Sequence, residues 1–247
     1  MTDPLAPLLD LPGVSAAVDA ARNAVADVHR HPTNRHGWPA TAAEASVRAA
    51  RASAALDGGG TDIPADGTVT DPVLAGALRV AESVGLLLGI WQRAPLQCLA
   101  RLHVLAAADL VDPGDDDQLG RPRPARGVTA RLELLASLVA GGTTAPAPIL
   151  AAIVHGELLT LTPFGAADGV VARAAARLTL IATGLDPKGL VVPEVACLRR
   201  AQDYAAAAAG FGTGEPDAVA TWLVFCCDTI TRGAREASGI ADAAAVG

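Results

Sequence analysis

The sequence predicts an all-α bundle, and three observations support this. Apolar residues recur at spacings of three and four along most of the chain, as on the buried face of an amphipathic helix. Alanine fills long stretches and favours helix, because it loses no side-chain entropy there. No segment gives a clear strand pattern of alternating apolar and polar residues. The 247 residues suffice for one substantial core.

The first two predicted helices form an N-terminal unit of residues 1–60. Valine and alanine share one face over residues 14–30, and a cluster of prolines with a glycine ends that helix. Thr41 then acts as an N-cap, and Glu44 completes a capping box. Three consecutive glycines end the second helix, which therefore covers about residues 41–57.

Residues 61–70 predict a flexible connector, because this segment is rich in Gly, Asp, Thr and Pro. Asp71 followed by Pro72 is an N-cap with proline at the first helical position, so the main helical unit, residues 71–247, begins there. No fixed-length repeat indicates a solenoid. The predicted helices of this unit span about residues 72–93, 95–110, 128–139, 146–161, 168–183, 193–210 and 215–238.

The charge balance argues against binding to nucleic acid or to an anionic membrane surface. The chain has 26 acidic and 19 basic residues and a formal net charge of −7, which is the wrong sign for contacts with phosphate backbones. The longest apolar run, residues 84–91, is too short to cross a bilayer. The N-terminus lacks the pattern of a secretion signal, and the four cysteines fit neither a zinc site nor a disulfide framework. A cytoplasmic protein with reduced thiols is expected.

One junction between two helices has the features of an anion pocket. The stretch TPFGAADGVVAR, residues 162–173, follows a helix that ends near Leu161 and precedes one that starts near Asp168. The free backbone N–H groups and the dipole of the second helix would converge on the loop. Most helix starts hold no anion, so the pattern alone favours a plain helix–loop–helix connection.

The junction and its flanking helices resemble the core of the Fic (Fido) family. Those proteins transfer nucleotidyl groups, usually AMP from ATP, to hydroxyl side chains of target proteins. Their motif reads His-Pro-Phe-x-Asp/Glu-Gly-Asn-Gly-Arg-x-x-Arg, and Pro163, Phe164, Gly169 and Arg173 match it. His155 stands where many members carry an upstream histidine. The resemblance implies a Fic-like helical bundle with the remnant of a nucleotide cleft at this junction.

Several motif positions lack the residues that the family's chemistry needs. The resemblance aligns the family's general-base histidine with Thr162, whose hydroxyl has no pKa suited to that role. The Mg²⁺-binding carboxylate aligns with Ala166, which offers no ligand. The first motif glycine and the first motif arginine align with Ala167 and Val170. The asparagine aligns with Asp168, whose charge would repel phosphate. No AMP transfer, no cofactor and no bound metal are therefore expected.

A second likeness lies at the end of the second predicted helix. Ser53, Asp57 and Gly58 resemble the inhibitory Ser/Thr-x-x-x-Glu-Gly/Asn motif of many Fic proteins. In that motif the acid pairs with the last motif arginine, so the resemblance implies a contact between Asp57 and Arg173. Fic enzymes also have a β-hairpin flap that binds the target peptide. The proline-rich residues 118–127 predict that this flap is reduced or absent, because proline cannot donate ladder hydrogen bonds.

Other ionisable residues allow more than one interpretation. Three histidines within residues 29–36 lack partners at metal-ligand spacing, so solvated turn residues are favoured over a metal site. His103 fits either a family Leu-His pair or the core. His155 and Glu157 precede the junction, and packing beside the cleft is favoured over acid–base work.

Two functions from different classes remain open. The first is a Fic-fold pseudoenzyme that acts as a regulatory or protein-interaction module, with another protein as its partner and a homodimer also open. The alternative is a transferase with rebuilt chemistry on a nucleotide or phosphate ligand. It would use Arg173, Asp168, Thr162 or His155. The residues name no particular partner.

Overall fold

The computed structural model of the protein describes residues 3–112 and 114–246. Within them the chain forms α-helices joined by turns and no β-strand, so the predicted all-α class is confirmed. The α-helices are α1 (Val14–Arg30), α2 (Pro32–His36), α3 (Trp38–Leu56), α4 (Pro72–Arg93), α5 (Pro95–Ala107), α6 (Val128–Ser137), α7 (Ala147–Leu161), α8 (Asp168–Ala182), α9 (Pro193–Arg199), α10 (Ala201–Phe211) and α11 (Pro216–Val246). Shorter helical turns lie at Ala6–Asp10, Asp116–Gln118 and Leu138–Gly142.

The centre of the bundle is the pair α7 and α8. Helix α7 is apolar around its whole circumference, and nearly all its residues from Pro148 to Leu158 are buried. Helix α8 packs against it with small residues such as Ala172 and Ala175, which let the two backbones approach closely. Helix α8 also contacts α3, α4 and α5. The junction between α7 and α8 therefore lies at the end of the most buried helix pair.

The N-terminal helices pack into the same bundle. Helix α1 lies along the 31-residue α11, and α3 packs against α4, α8, α9 and α11. No helix or strand forms in residues 57–71, which connect α3 to α4. This arrangement brings the end of α3 to the start of α8.

The structure corrects the predicted start of the second helix. Helix α3 begins at Trp38, three residues before Thr41, because Pro39 suits the first turn of a helix. Thr41 is not an N-cap. Its hydroxyl lies inside the helix, 2.8 Å from Asn34 Oδ1 and 3.1 Å from the Trp38 carbonyl. The helix predicted over about 41–57 therefore covers Trp38–Leu56.

Two C-terminal boundaries also differ from prediction. The helix predicted over 193–210 is two helices, because the backbone of Arg200 leaves helical geometry (φ −128°, ψ 42°). Its guanidinium lies 2.6 Å from Asp228 and 4.8 Å from the centre of the Phe225 ring, which anchors the break to α11. Helix α11 continues to Val246, beyond the predicted end near residue 238.

Helix α4 corrects the judgement on membrane-spanning length. The apolar run at 84–91 is short, but the whole helix has 22 residues and an 18-residue window of mean hydropathy 1.8. By length and composition this described helix could cross a bilayer. A core helix of a soluble protein passes the same test. Leu74, Val80 and Trp91 of α4 are buried where the helix packs on its neighbours.

A glycine in α11 tests the packing between α9 and α11. A Cβ at Gly233 would lie 2.6 Å from the Val192 carbonyl carbon and 2.7 Å from Pro193 N, both backbone atoms that cannot move away cheaply. Gly233→Ala should lower the free energy of unfolding by about 1–3 kcal/mol through overpacking. Gly239, on the same helix, has no atom within 4 Å of such a Cβ. Gly239→Ala should raise stability by about 0.5–1 kcal/mol through helix propensity. Urea unfolding measures both, and equal effects would contradict this packing.

Candidate functional site

Two residues with left-handed backbone shape the loop between α7 and α8. Thr162 ends α7 with φ +39°, and Ala167 precedes α8 with φ +52°. Both residues carry a Cβ, so the left-handed conformation costs each of them about 1–2 kcal/mol that glycine would avoid. Such strain persists only where the surrounding contacts hold the backbone in place. Asp168 and Arg123 contact this loop, and Asp57 contacts the start of α8 beside it.

The first is Asp168, the first residue of α8. Its carboxylate reaches back across the loop and accepts hydrogen bonds from Phe164 N at 2.9 Å and Gly165 N at 2.7 Å. The side chain is buried, and this burial raises the pKa of Asp168, although the two N–H donors oppose the effect. Two backbone donors of the loop are thus already bonded to a carboxylate of the chain.

The second is Arg123, from the segment where a flap was predicted to be reduced. No strand forms within residues 118–127. The Arg123 backbone N–H donates to the Pro163 carbonyl at 2.7 Å. Its guanidinium donates to Thr162 Oγ1 at 2.9 Å and to the Thr162 carbonyl. The segment therefore crosses the loop and contacts Thr162 directly.

Aromatic stacking joins the same segment to the core. The ring of His103 on α5 lies parallel to Phe164 with 4.2 Å between centroids, and its Nδ1 accepts from Gly120 N at 2.9 Å. Burial lowers the pKa of His103, so the ring is neutral at pH 7. His103 therefore holds the motif loop and residues 118–127 together.

The third contact comes from Asp57, directly after α3. Its Oδ1 accepts from Arg173 Nη2 at 2.7 Å, and its Oδ2 accepts from the Val170 backbone N–H at 3.0 Å. The carboxylate lies against Gly169, where a Cβ would be only 2.3 Å from Oδ1. Glycine at that position is what allows the close approach. The contact expected from the sequence is present, and Asp57 reaches Arg173 without a bridging water.

The end of α3 is shaped to deliver this carboxylate. Gly58 has φ +82°, the left-handed conformation that commonly follows a helix, and a Cβ there would meet no atom within 4 Å. Ser53 lies one turn before Asp57 on the same face. Its Oγ and its carbonyl accept from Arg173 Nε at 2.8 Å and Nη2 at 2.9 Å. Ser53 and Asp57 thus bind one guanidinium.

Arg173 is 4% exposed and has a third partner residue, Tyr204. Its Nη1 lies 3.3 Å from the hydroxyl of Tyr204 on α10. Burial by itself would lower the pKa of Arg173, but Tyr204 and the Asp57 carboxylate raise it on balance. Arg173 is therefore a permanent cation that links α3, α8 and α10.

His155 completes the buried network from α7. Its Nε2 lies 2.8 Å from the Tyr204 hydroxyl, and the edge of Trp222 packs against it. Since Tyr204 accepts from Arg173, we assign its proton to the bond with His155. Burial, with a contribution from the Arg173 charge, lowers the pKa of His155 to about 3. A neutral, enclosed imidazole is a packing group.

Glu157 belongs to a different surface. It pairs with Arg131 Nη2 at 2.7 Å, while His155 faces the interior. The two residues therefore have different partners, Tyr204 for His155 and Arg131 for Glu157. Tyr204 and Arg123 are contacts that the motif did not identify, because both lie outside it in sequence.

The other residues singled out in the sequence lie either in the loop between α7 and α8 or away from it. Pro163 and Phe164 are buried in the loop, Ala166 is partly exposed, and Val170 is 3% exposed and packs in the core. The histidines near the N-terminus are separate. His29 bonds to Asp186 at 2.9 Å and His31 to Asp242 at 3.0 Å. Among the described residues no group of three or more His, Cys, Asp or Glu could hold a metal ion.

The neutral His155 gives a testable pH dependence. Its folded pKa of about 3 is below the ordinary 6.5, so protonation favours the unfolded chain. The stabilisation is present above pH 6.5 and is lost as the pH falls towards 3. Between pH 7 and 5 this residue should cost about 2 kcal/mol of unfolding free energy. Urea unfolding of the protein and of His155→Gln at both pH values measures it. Equal pH dependence in the two proteins would show that His155 is accessible to protons.

Comparison with known proteins identifies the fold. No protein-family model and no curated protein matches the chain. Among solved structures, the chain is similar to the crystal structure of a Fic family protein from Desulfovibrio desulfuricans G20, determined at 2.70 Å resolution. The TM-score is 0.70 and the sequence identity 20%, over 90% of this chain and 74% of that chain. The protein therefore has a Fic fold.

Proposed function

We propose that this protein is a catalytically degenerate, cytoplasmic Fic-fold protein that regulates or binds another protein and does not transfer AMP. One observation carries the proposal: the Asp57 carboxylate lies at the start of α8, bonded to Val170 N–H and to Arg173. A helix start with a nearby arginine suits a phosphate group. Here the chain supplies the anion itself.

The surrounding residues do not fit a magnesium–nucleotide complex. Ala166 offers no oxygen ligand at the position of the family's carboxylate. The nearest carboxylates, Asp57 and Asp168, already accept hydrogen bonds from backbone N–H groups or from Arg173. Their negative charges would also repel phosphate. The buried Val170 replaces the arginine that would neutralise it.

Recognition of a target peptide by strand addition also lacks support. That mode needs an exposed strand edge, and no strand forms in residues 118–127. Arg123 in this segment bonds instead to Thr162 and to the Pro163 carbonyl. The position of the family's general base is thus engaged by the protein's own segment.

A cytoplasmic location is in keeping with the thiols. Cys98, Cys197, Cys226 and Cys227 are buried and unpaired with one another. Burial raises the pKa of each of these thiols, which disfavours the reactive thiolate. Such cysteines act as small apolar core residues and suit a reducing compartment.

A rebuilt transferase is the competing function, and the environment of His155 weighs against it. A general base needs a pKa near the working pH, while that of His155 is about 3. Thr162 has a hydroxyl in contact with Arg123 and no neighbouring base among its bonded partners. Neither His155 nor Thr162 therefore supports a role as the general base of a transferase.

Nucleotide binding and transfer test the proposed function. The wild-type protein should bind ATP, ADP and CDP no more tightly than about 1 mM, with or without Mg²⁺, because Asp57 occupies the anion position. It should incorporate no labelled nucleotide into itself or added proteins. Asp57→Ala should free Val170 N–H and Arg173 and bind inorganic phosphate at least about tenfold more tightly, independently of Mg²⁺. Isothermal titration and labelled-nucleotide transfer measure these effects.

The matched control is Asp27→Ala, which removes an aspartate from an exposed ion pair with Arg30. It should leave phosphate binding unchanged. Transfer of nucleotide by the wild-type protein, abolished by Thr162→Ala, would overturn the proposal and favour the rebuilt transferase.

A further inference from the structure

A surface pocket lined by arginines lies away from the junction between α7 and α8. It has a volume of about 540 Å³ and lies where α3, α9 and α11 pack together. Five of the chain's 19 basic residues line it, although the protein as a whole has a formal net charge of −7. We call it the arginine pocket, and its charged lining residues are Arg48, Arg199, Arg200, Arg232, Arg235 and Glu236.

Glu236 fixes two of these arginines in place. Its carboxylate accepts hydrogen bonds from Arg48 Nη1 at 2.7 Å and from Arg199 Nη2 at 2.9 Å. Arg48 also donates from Nε to Glu44 at 2.7 Å. Burial by itself would raise the pKa of Glu236, but Arg48 and Arg199 lower it on balance. Glu236 is therefore ionised at neutral pH, and the pocket already holds one carboxylate between two guanidinium groups.

Carboxylates beside the pocket fix two more arginines. Asp228 accepts from Arg200 Nη1 at 2.6 Å and from Arg232 Nε at 2.7 Å. Asp203 accepts from Arg200 Nε at 3.1 Å. Neither aspartate lines the pocket. These contacts position the guanidinium groups before a ligand arrives, which lowers the entropy that binding would cost.

Several N–H donors of the arginine pocket have no acceptor among the described residues. Arg232 is bonded only through Nε, so both of its Nη groups are available to a ligand. Arg199 is bonded only through Nη2, and its side chain is 68% exposed. Arg235 is exposed and forms no ion pair with any residue that the structure describes. Since Arg232 and Arg235 lie three residues apart on α11, they are neighbours on one face of the helix.

We propose that the arginine pocket binds an acidic segment of another protein. A carboxylate can accept two parallel N–H donors from one guanidinium, and the two free Nη groups of Arg232 offer that arrangement. Arg199 and Arg235 bind further carboxylates of the same segment. The pocket gives the partner protein a chemistry, so this inference rests on the proposed function.

Glu236 favours carboxylates over phosphate groups as ligands of this pocket. A phosphate monoester carries about two negative charges at neutral pH, so Glu236 repels it about twice as strongly as it repels one carboxylate. A segment with several glutamates or aspartates spreads its charges over Arg199, Arg232 and Arg235 instead. At physiological salt, charges farther away than about 8 Å are largely screened. The arginines of the pocket therefore outweigh the negative charge of the rest of the chain.

Binding of an acidic peptide tests the proposal. Fluorescence anisotropy of a fluorescein-labelled oligo-glutamate peptide at low ionic strength should give a Kd of about 10–100 µM for the wild-type protein. Arg232→Gln/Arg235→Gln should weaken binding at least about tenfold, because it removes the free guanidinium groups. The control Arg22→Gln/Arg101→Gln removes the same charge from two exposed arginines outside the pocket. It should leave the Kd within about twofold of the wild-type value.

The outcomes separate this proposal from the proposed function. Nucleotide transfer depends on the start of α8, which none of these variants changes, so the two can fail independently. All three proteins should have the same circular dichroism. No peptide binding by the wild-type protein, or equal weakening by both double variants, would overturn the proposal. Tighter binding of a phosphoserine peptide or a single-stranded oligonucleotide, lost in Arg232→Gln/Arg235→Gln, would also overturn it and assign the pocket to phosphate groups.

Discussion

The site depends on one buried positive charge. Arg173 is 4% exposed and cannot lose its proton, so its surroundings must supply acceptors. Ser53 and Asp57 do so from the end of α3, and Tyr204 does so from α10. The guanidinium thereby ties three helices together at one point.

The same contacts explain why the start of α8 already holds an anion of the chain. A phosphate would use the Val170 N–H and Arg173, and Asp57 takes both. Asp168 takes two further N–H groups in the loop, those of Phe164 and Gly165. Carboxylates of the chain thus occupy the positions that favour an external anion. The Fic fold is present, and carboxylates of the chain itself occupy the anion position at the start of α8.

Sequence patterns predicted this site better than its surroundings. The motif register aligned Arg173, and the spacing of Ser53 and Asp57 indicated which residues would meet it. Arg123 and Tyr204 could not be predicted, because they reach the site from 39 and 31 residues away in sequence. The sequence misplaced helix ends where more than one residue could begin or end a helix. Helix α3 begins at Trp38, with Pro39 in its first turn, and not at Thr41. The non-helical backbone of Arg200 divides one predicted helix into α9 and α10. The exposed side of α4 could not be predicted, because the helix is apolar over most of its length and its composition resembles that of a core helix.

A double-mutant cycle measures how strongly Asp57 and Arg173 stabilise each other. Urea unfolding of the wild-type protein, Asp57→Ala, Arg173→Ala and the double variant gives the coupling free energy. We expect a coupling free energy of about 1–3 kcal/mol, since Arg173 is buried while the Asp57 side chain keeps 23% of its exposure. Asp57→Ala alone should be destabilising, because the buried guanidinium loses its only carboxylate partner among the described residues. Additive effects, within about 0.5 kcal/mol, would show that Asp57 does not stabilise the buried Arg173 charge.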